Sequence, residues 1–322
     1  MYSLLKSIKK RLFDKSQGHS HPSPGQIAWK RFKRHRLAMV SLWILVGLGV
    51  LSIVIPILSS HPVDQANIKE IFKESSSQHL LGTDENGYDV FVRLFYGGRI
   101  SLSVGLIAAF SAAFIGTMVG SMAGYFGGLV DSILMRITDT MLSLPVLPLL
   151  IILSQVEFKK IAVGDWSLAF IDEEEWGKIF KIIVIIALFS WMSVARLVRG
   201  EVLSLKHREF IDAARVLGAS HRQIIWKHLV PNSLTPVIIS TTLSLGSVIQ
   251  YEAVLGFLGL GIPTSTPTWG NMLSNSLGYF VNAPFLFIYP GVLIAITVVC
   301  INFIGDGLRD ALDPRQILEG KR

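Results

Sequence analysis

The 322-residue sequence contains one cysteine, Cys300, set inside an apolar run. A single thiol excludes a disulfide framework and any multi-cysteine metal cluster, and its setting suits a small packing residue. Charge is also scarce, at 16% of residues against 51% hydrophobic, with a mean hydropathy of +0.51. That balance is too apolar for an ordinary soluble domain of this length, and the chain reads as an integral membrane protein. No small-residue cleavage site follows the first long apolar run, so that run is expected to be a retained span and not a signal peptide. No internal repeat and no low-complexity tract stands out.

What the chain does have is a patterned distribution of cations. The net charge of +7 gathers just outside apolar runs, which is the arrangement of topology signals; no nucleic-acid partner is expected. Residues 1–36 hold Lys6, Lys9, Lys10, Arg11, Lys15, Lys30, Arg31, Lys33, Arg34 and Arg36 against one acid, Asp14, which predicts a cytoplasmic N-terminus. Within this tail Ile27, Trp29 and Phe32 interleave with cations, as in a helix lying in the lipid interface. His19 and His21 sit among Ser, Pro and Gly and do not form a metal site.

Six spans are expected, since a helix needs about 20 apolar residues to cross roughly 30 Å of hydrocarbon. They are 37–58, 101–125, 133–154, 182–198, 233–260 and 285–304, with both termini in the cytoplasm and 307–322 as a tail. Residues 59–100 form an external loop carrying Asp64, Glu70, Glu74, Asp84, Glu85 and Asp89. In the second span Ala108, Ala112, Gly116, Gly120, Gly124 and Gly128 recur at a step of four, a continuous small ridge for close helix packing. Pro145 and Pro148 predict a kink in the third span. The acidic run Asp172 to Glu175, within a link over 155–181, lacks the alternating spacing of a calcium loop and is expected to be a solvated outer face. GIPTSTPTWGN from Gly261 reads as a Gly- and Pro-rich external loop between the last two spans.

The most informative stretch is 200–231, which is cytoplasmic by its cations. Val202, Leu205, Phe210, Ala213, Ala214 and Leu217 predict one helical apolar face. Gly218 is suited to close that helix, and Ser220 with Gln223 makes a capping-box pattern that starts a second helix, interrupted at Pro231. Small residues beside Asp212 would let the element enter a groove on a partner protein.

Here a resemblance is specific. Asp212-Ala213-Ala214, Gly218, His228, Val230 and Pro231 resemble the Glu-Ala-Ala, three residues, Gly, nine residues, Ile, one residue, Leu-Pro loop of ATP-binding-cassette importer permeases. The chain departs from it in Asp for Glu at 212, His for Ile at 228 and Val for Leu at 230. LGTDENGYDVFVRLFYGGRISLSVGL from Leu81 and EAVLGFLGLGIPTSTPTWGNML from Glu252 are similar to the second membrane subunit of dipeptide, oligopeptide and nickel importers. That group generally has Arg at the position of Tyr88 and a shorter link than 155–181.

The resemblance implies an all-α type I importer domain over 101–306, in a multi-pass cell-membrane protein. It further implies a second permease subunit, two ATPase subunits and an external substrate-binding protein as partners. Di- or oligopeptides are the implied substrate. The loop, with Asp212, Ala213, Ala214, Gly218, Ala219, Ser220 and Pro231 as its coupling residues, would dock on the ATPases, which hydrolyse the ATP. This chain binds no cofactor by that account and is not an enzyme. Its Gly177-Lys178 pair has Asp172 and Ile179 where a phosphate loop needs Gly and Ser or Thr. Gln250, Glu252 and Asn302 are the polar candidates for the translocation path, with Glu252 either lining it or holding helices together. The competing class is a self-contained channel or ion-coupled transporter working through Glu252.

Overall fold

The computed structural model describes residues 24–157, 162–163, 166–167 and 174–313. The distal tail with His19 and His21, and the acidic pair Asp172 and Glu173, lie outside the described residues. Among the described residues the protein is all-α apart from two antiparallel two-residue strands, β1 (Ala162–Val163) and β2 (Trp166–Ser167). A short helix α1 (Pro24–Phe32) leads into α2 (Arg36–Leu58). There follow α3 (Val90–Phe126), α4 (Gly128–Ser143), α5 (Val146–Ser154), α6 (Glu175–Leu205) and α7 (Glu209–Val216). The last three helices are α8 (His221–Phe257), α9 (Trp269–Ser276) and α10 (Phe285–Leu312).

Five helices, α2, α3, α6, α8 and α10, are long and apolar enough to cross a membrane, and α4 with α5 makes a sixth if the bent pair is one span. That pair turns by 89°, more than the expected kink. Leu144 is extended at φ −87°, ψ 142°, the conformation a following proline favours. Pro148 falls in the first turn of α5, where a missing N–H costs nothing. Several spans outrun the apolar runs that announced them. The second begins at Val90, so 90–100 is helix and not loop; Asp89 caps it, accepting from Val92 N–H at 2.9 Å.

α3 is the central helix, and its small residues explain why. A Cβ placed on Gly116 would sit 2.6 Å from the Trp191 carbonyl, and one on Gly124 3.0 Å from the Arg199 carbonyl; Gly120 faces Ala195 and Val198 in the same way. The ridge therefore lies backbone to backbone on α6, with Ala108 and Ala112 buried along the same helix. In hydrocarbon, where apolar burial between helices gains little, this close packing supplies the association. Gly128 does not belong to it. α3 stops at Phe126, Gly127 has φ +66°, and nothing lies within 4 Å of a Cβ at Gly128. Nearer the start of α3, Gly105 admits Ile249 of α8.

α2 and α10 flank this core. On α2 the buried residues are mostly small or polar, including Ala38, Ser41 and Ser52, while Val40, Trp43, Val50 and Ile57 are exposed. Large apolar residues outside and small ones inside suit a helix that faces lipid. Gly307 of α10 lets Phe32 of α1 and Ala38 approach, which ties the short N-terminal helix to the bundle.

Candidate functional site

The connection from α6 to α8 is a compact hairpin at the end of the bundle where α3 finishes. α6 runs only to Leu205; Lys206 to Arg208 break it, and α7 starts afresh at Glu209. The break resets the helical phase. Val202 is buried on α6, but on α7 the buried residues are Ile211 and Ala214, while Ala213, Val216 and Leu217 turn outward. The expected single apolar face over 200–217 is therefore two shorter faces. Sequence reasoning misses Ile211 and the exposed tip, because no local signal marks where the phase changes.

α7 closes with Gly218 at φ +81°. Ala219 N–H donates to the Ala214 carbonyl and Gly218 N–H to the Arg215 carbonyl, each at 3.0 Å, which satisfies carbonyls the helix end would leave bare. Nothing lies within 4 Å of a Cβ at Gly218, so conformation and not space requires glycine there. The capping box of α8 is formed: Ser220 Oγ accepts from Gln223 N–H at 3.3 Å, and Ser220 N–H donates to Gln223 Oε1 at 2.9 Å.

Pro231 does not interrupt α8. The turn before it, Ile224–Leu229, widens to a π-helix in which Val230 N–H reaches the Ile225 carbonyl. This is a common accommodation at functional sites. Asn232 Nδ2 and Ser233 Oγ donate to the carbonyls of His228 and Leu229 at 2.6 and 3.0 Å.

The hairpin is rooted in the spans. Ile211, Ile224, Ile225 and Leu229 form one apolar cluster with Val194, Val198 and Val202 of α6, Ala113 of α3 and Val237 of α8. Tyr125 OH and His221 Nδ1 are 2.7 Å apart, and Lys206 Nζ donates to the Gly124 carbonyl at 3.0 Å. Beside it Arg199 grips Asp131 of α4 with two bonds of 2.6 and 2.7 Å. At the far side Val216 and Leu217 are 88% and 87% exposed. The element is thus an apolar tip on a base packed into α3, α6 and α8.

The three polar residues expected on a path differ in their exposure. Gln250 and Asn302 are exposed, whereas Glu252 is only 1% exposed. Glu252 lies against the hydroxyls of Ser101 and Thr268, though neither of its oxygens has a well-aligned hydrogen bond. Those hydroxyl oxygens accept from Trp269 N–H and Asn271 N–H, both at 3.2 Å, so their protons remain to be donated toward the carboxylate.

The segment packed around Glu252, expected as a Gly- and Pro-rich external loop, is a closely packed knot. Trp269 is fully buried, its Nε1–H donating to the Leu94 carbonyl at 3.0 Å. Asn271 Nδ2 is shared among the carbonyls of Ile262, Pro263 and Thr266 at 3.3, 3.3 and 2.8 Å. A Cβ on Gly270 would stand 2.6 Å from the Ala253 carbonyl, and one on Gly261 2.8 Å from Gly256.

Comparison with known proteins adds the decisive observation. Residues 116–318 match the family described as "Binding-protein-dependent transport system inner membrane component", and residues 23–75 match the "N-terminal TM domain of oligopeptide transport permease C". The chain is 42% identical over 292 residues to the oligopeptide transport system permease protein OppC of Escherichia coli K12, covering 90% of this chain and 91% of that one. The chain belongs to the oligopeptide and dipeptide transport permease family. It is 38% identical to the dipeptide transport system permease protein DppC of Bacillus subtilis 168, over 90% of this chain and 85% of that one. A solved structure titled as an inward-facing conformation of the MetNI methionine ABC transporter shares the fold. Its TM-score is 0.50 at 23% identity, covering 68% of this chain and 96% of that chain. The protein is accordingly a multi-pass inner-membrane permease subunit of an ABC importer.

In this permease two of the positions that depart from the family's usual pattern, Asp212 and Tyr88, have close side-chain partners. Asp212 is exposed and pairs with Arg215 at 2.9 Å. Tyr88 lies under the Arg93 guanidinium, 4.0 Å from the ring centre, a cation–π contact in place of a second cation. Arg93 also donates to the Thr264 carbonyl at 3.2 Å and stands 4.0 Å from Asp84, joining the start of α3 to the Trp269 knot. Burial lifts the Asp84 carboxyl above its usual range, opposed by the N–H groups of Tyr88 and Asn86 and by Arg93. In the 155–181 link, Lys181 Nζ donates to the Val156 carbonyl at 2.7 Å, and α6 already begins at Glu175.

Proposed function

We propose that this permease forms an inward path for di- or oligopeptides together with a second permease subunit. In this reading two ATPase subunits drive it and an external binding protein delivers the substrate. The chain itself is non-catalytic. Both termini and the 206–220 hairpin face the cytoplasm, where the hairpin inserts into an ATPase groove. Movement of the ATPases then carries α3, α6 and α8 as a rigid body. The observation that supports this most is the pairing of an exposed apolar tip, Val216 and Leu217, with a base buried among three spans. The peptide assignment rests on the named substrates of the relatives, oligopeptides and dipeptides.

The test uses the assembled importer in proteoliposomes with the binding protein and a labelled peptide. Leu217→Asp is expected to keep the chain inserted and stable, to weaken ATPase association, and to abolish uptake. Normal uptake would sink the coupling role. For sidedness, cysteines at Ser77 and Ser204, both exposed, should label from the outside and the inside respectively; Cys300 is buried and contributes little background. The reverse pattern would overturn the orientation. Cells lacking the chain should lose peptide uptake, and loss of nickel-chelate uptake alone would reassign the substrate.

A further inference from the structure

The loop between α2 and α3 holds a group of side chains that the transport mechanism does not use. His61, His79 and Asp89 bring one ligand atom each to within 4.8 Å of one another. His79 and Asp89 are buried and His61 is half-buried. The three are set by independent local structure. His61 follows a turn in which its N–H donates to Ser59 Oγ at 3.0 Å. His79 is held by a tight turn with Ser76, through Ser76 N–H to its carbonyl at 2.8 Å and its own N–H to Ser76 Oγ at 3.1 Å. Asp89 spends Oδ1 on capping α3, which leaves Oδ2 for His79 Nδ1 at 2.8 Å. The His61 and His79 rings are 4.7 Å apart.

Two further features distinguish this group from a simple buried ion pair. The other ring nitrogen of His79, Nε2, lies 3.4 Å from Glu70 Oε2. A carboxylate behind a histidine fixes its tautomer and is the usual outer partner of a metal-bound imidazole. Glu70 is itself anchored by Lys73 Nζ at 2.6 Å and Asn67 Nδ2 at 2.7 Å, and the Lys73 bond holds its carboxyl below the usual range. His61 and Asp89 also line a cleft of 650 Å³ whose wall is part polar, with Ser59 and Gln78, and part apolar, with Leu58 and Phe91, leaving room for a water at a fourth ligand position.

We propose that His61, His79 and Asp89 bind a zinc-class divalent cation, with Glu70 orienting His79 from behind. Two imidazoles and one carboxylate form a borderline donor set that suits Zn²⁺ and excludes the all-oxygen preference of Ca²⁺ or Mg²⁺. On binding, the metal replaces the hydrogen bond between His79 Nδ1 and Asp89 Oδ2, and the neutral imidazole carries its single proton on Nε2 toward Glu70. The metal–ligand bonds form at Nδ1, Oδ2 and a His61 nitrogen, and any proton on Nδ1 moves to Nε2 or, if Nε2 already carries one, leaves to solvent. Tetrahedral ligands about 2.0 Å from zinc stand roughly 3.3 Å apart, so the 2.8 Å His79–Asp89 pair must open modestly and the wider separations within the group, up to 4.8 Å, must close. Such an ion ties the chain just beyond α2 to the first turn of α3.

The test is titration of Co²⁺ into the purified full-length chain, prepared without a polyhistidine tag and with His19 and His21 replaced by Ala, followed by visible absorption. One equivalent should give the intense bands of a four- or five-coordinate site, and Zn²⁺ should displace it. His61→Ala should abolish the bands while shifting the melting temperature of the metal-free protein little, since among the described residues the hydrogen bond at His61 is made by its backbone N–H and its ring makes one tilted contact with His79. Glu70→Gln should weaken binding about 10- to 100-fold with the stoichiometry kept. Absence of such bands in the parent protein, or bands that persist in His61→Ala, would overturn the proposal.

Discussion

Two glycines show how differently two regions of this permease are built. Gly218, in the hairpin, has φ +81° and open space around it; at Gly270, in the Trp269 knot, a Cβ would stand 2.6 Å from the Ala253 carbonyl. The hairpin needs glycine for a backbone conformation and presents its apolar residues outward. The knot needs glycine for room, and it buries Trp269, Asn271 and Glu252 against α3 and α8. On the proposed reading the hairpin docks on a partner and keeps its surface available, whereas a region that locks helices together gives its surface away.

The largest effect separates the two at once. Gly270→Leu has nowhere to place its side chain against backbone atoms, and it should yield no folded, monodisperse protein by size-exclusion chromatography. Gly218→Leu should be recovered folded. Recovery of both would mean that the knot yields more than its packing suggests. Next, Ile211→Ala removes the fully buried side chain that roots α7 and should cost about 2–5 kcal/mol, read as a lowered melting temperature with loss of uptake.

Glu252 tests the knot from its polar side. Glu252→Leu leaves the Ser101 and Thr268 hydroxyls without an acceptor and should destabilise by about 1–3 kcal/mol. Glu252→Gln should restore most of that and retain uptake. Lost uptake in a stable Glu252→Gln protein would instead place the carboxylate on the path. Gly218→Ala should cost about 1–2 kcal/mol, the penalty of a left-handed L-residue, with the hairpin otherwise intact. Smallest in stability is Leu217→Ala, expected within about 0.5 kcal/mol although it removes the exposed tip; a melting shift much beyond that would show the tip to be packed.

Much of the hairpin was legible because its signals are local. Gly218 and the Ser220–Gln223 box act over three or four residues, so their spacing in the chain is their spacing in the structure. Ile211 and the outward turn of Val216 and Leu217 were not legible, since the break at Lys206 to Arg208 shifts the phase and no single residue announces it. The Trp269 knot was hidden for the opposite reason. Its sequence has the Gly, Pro and Thr of a surface loop, and only contact with Leu94, Ser101 and Ala253 shows why those small residues are there.

By itself the sequence determined the membrane class, the presence and order of the long apolar helices, the small ridge on α3 and the helix, turn and helix of the hairpin. All of these follow from hydropathy and from interactions within a turn or two. Tertiary structure alone decided that the ridge stops at Gly124 and that Pro231 is absorbed by a π-turn. It also decided that Glu252 is enclosed while Gln250 and Asn302 are exposed, and that His61, His79 and Asp89 meet. The enclosure of Glu252 and the meeting of the two histidines with Asp89 depend on which backbone segments approach one another across tens to hundreds of residues. No local pattern encodes that distance; close packing in three dimensions sets it.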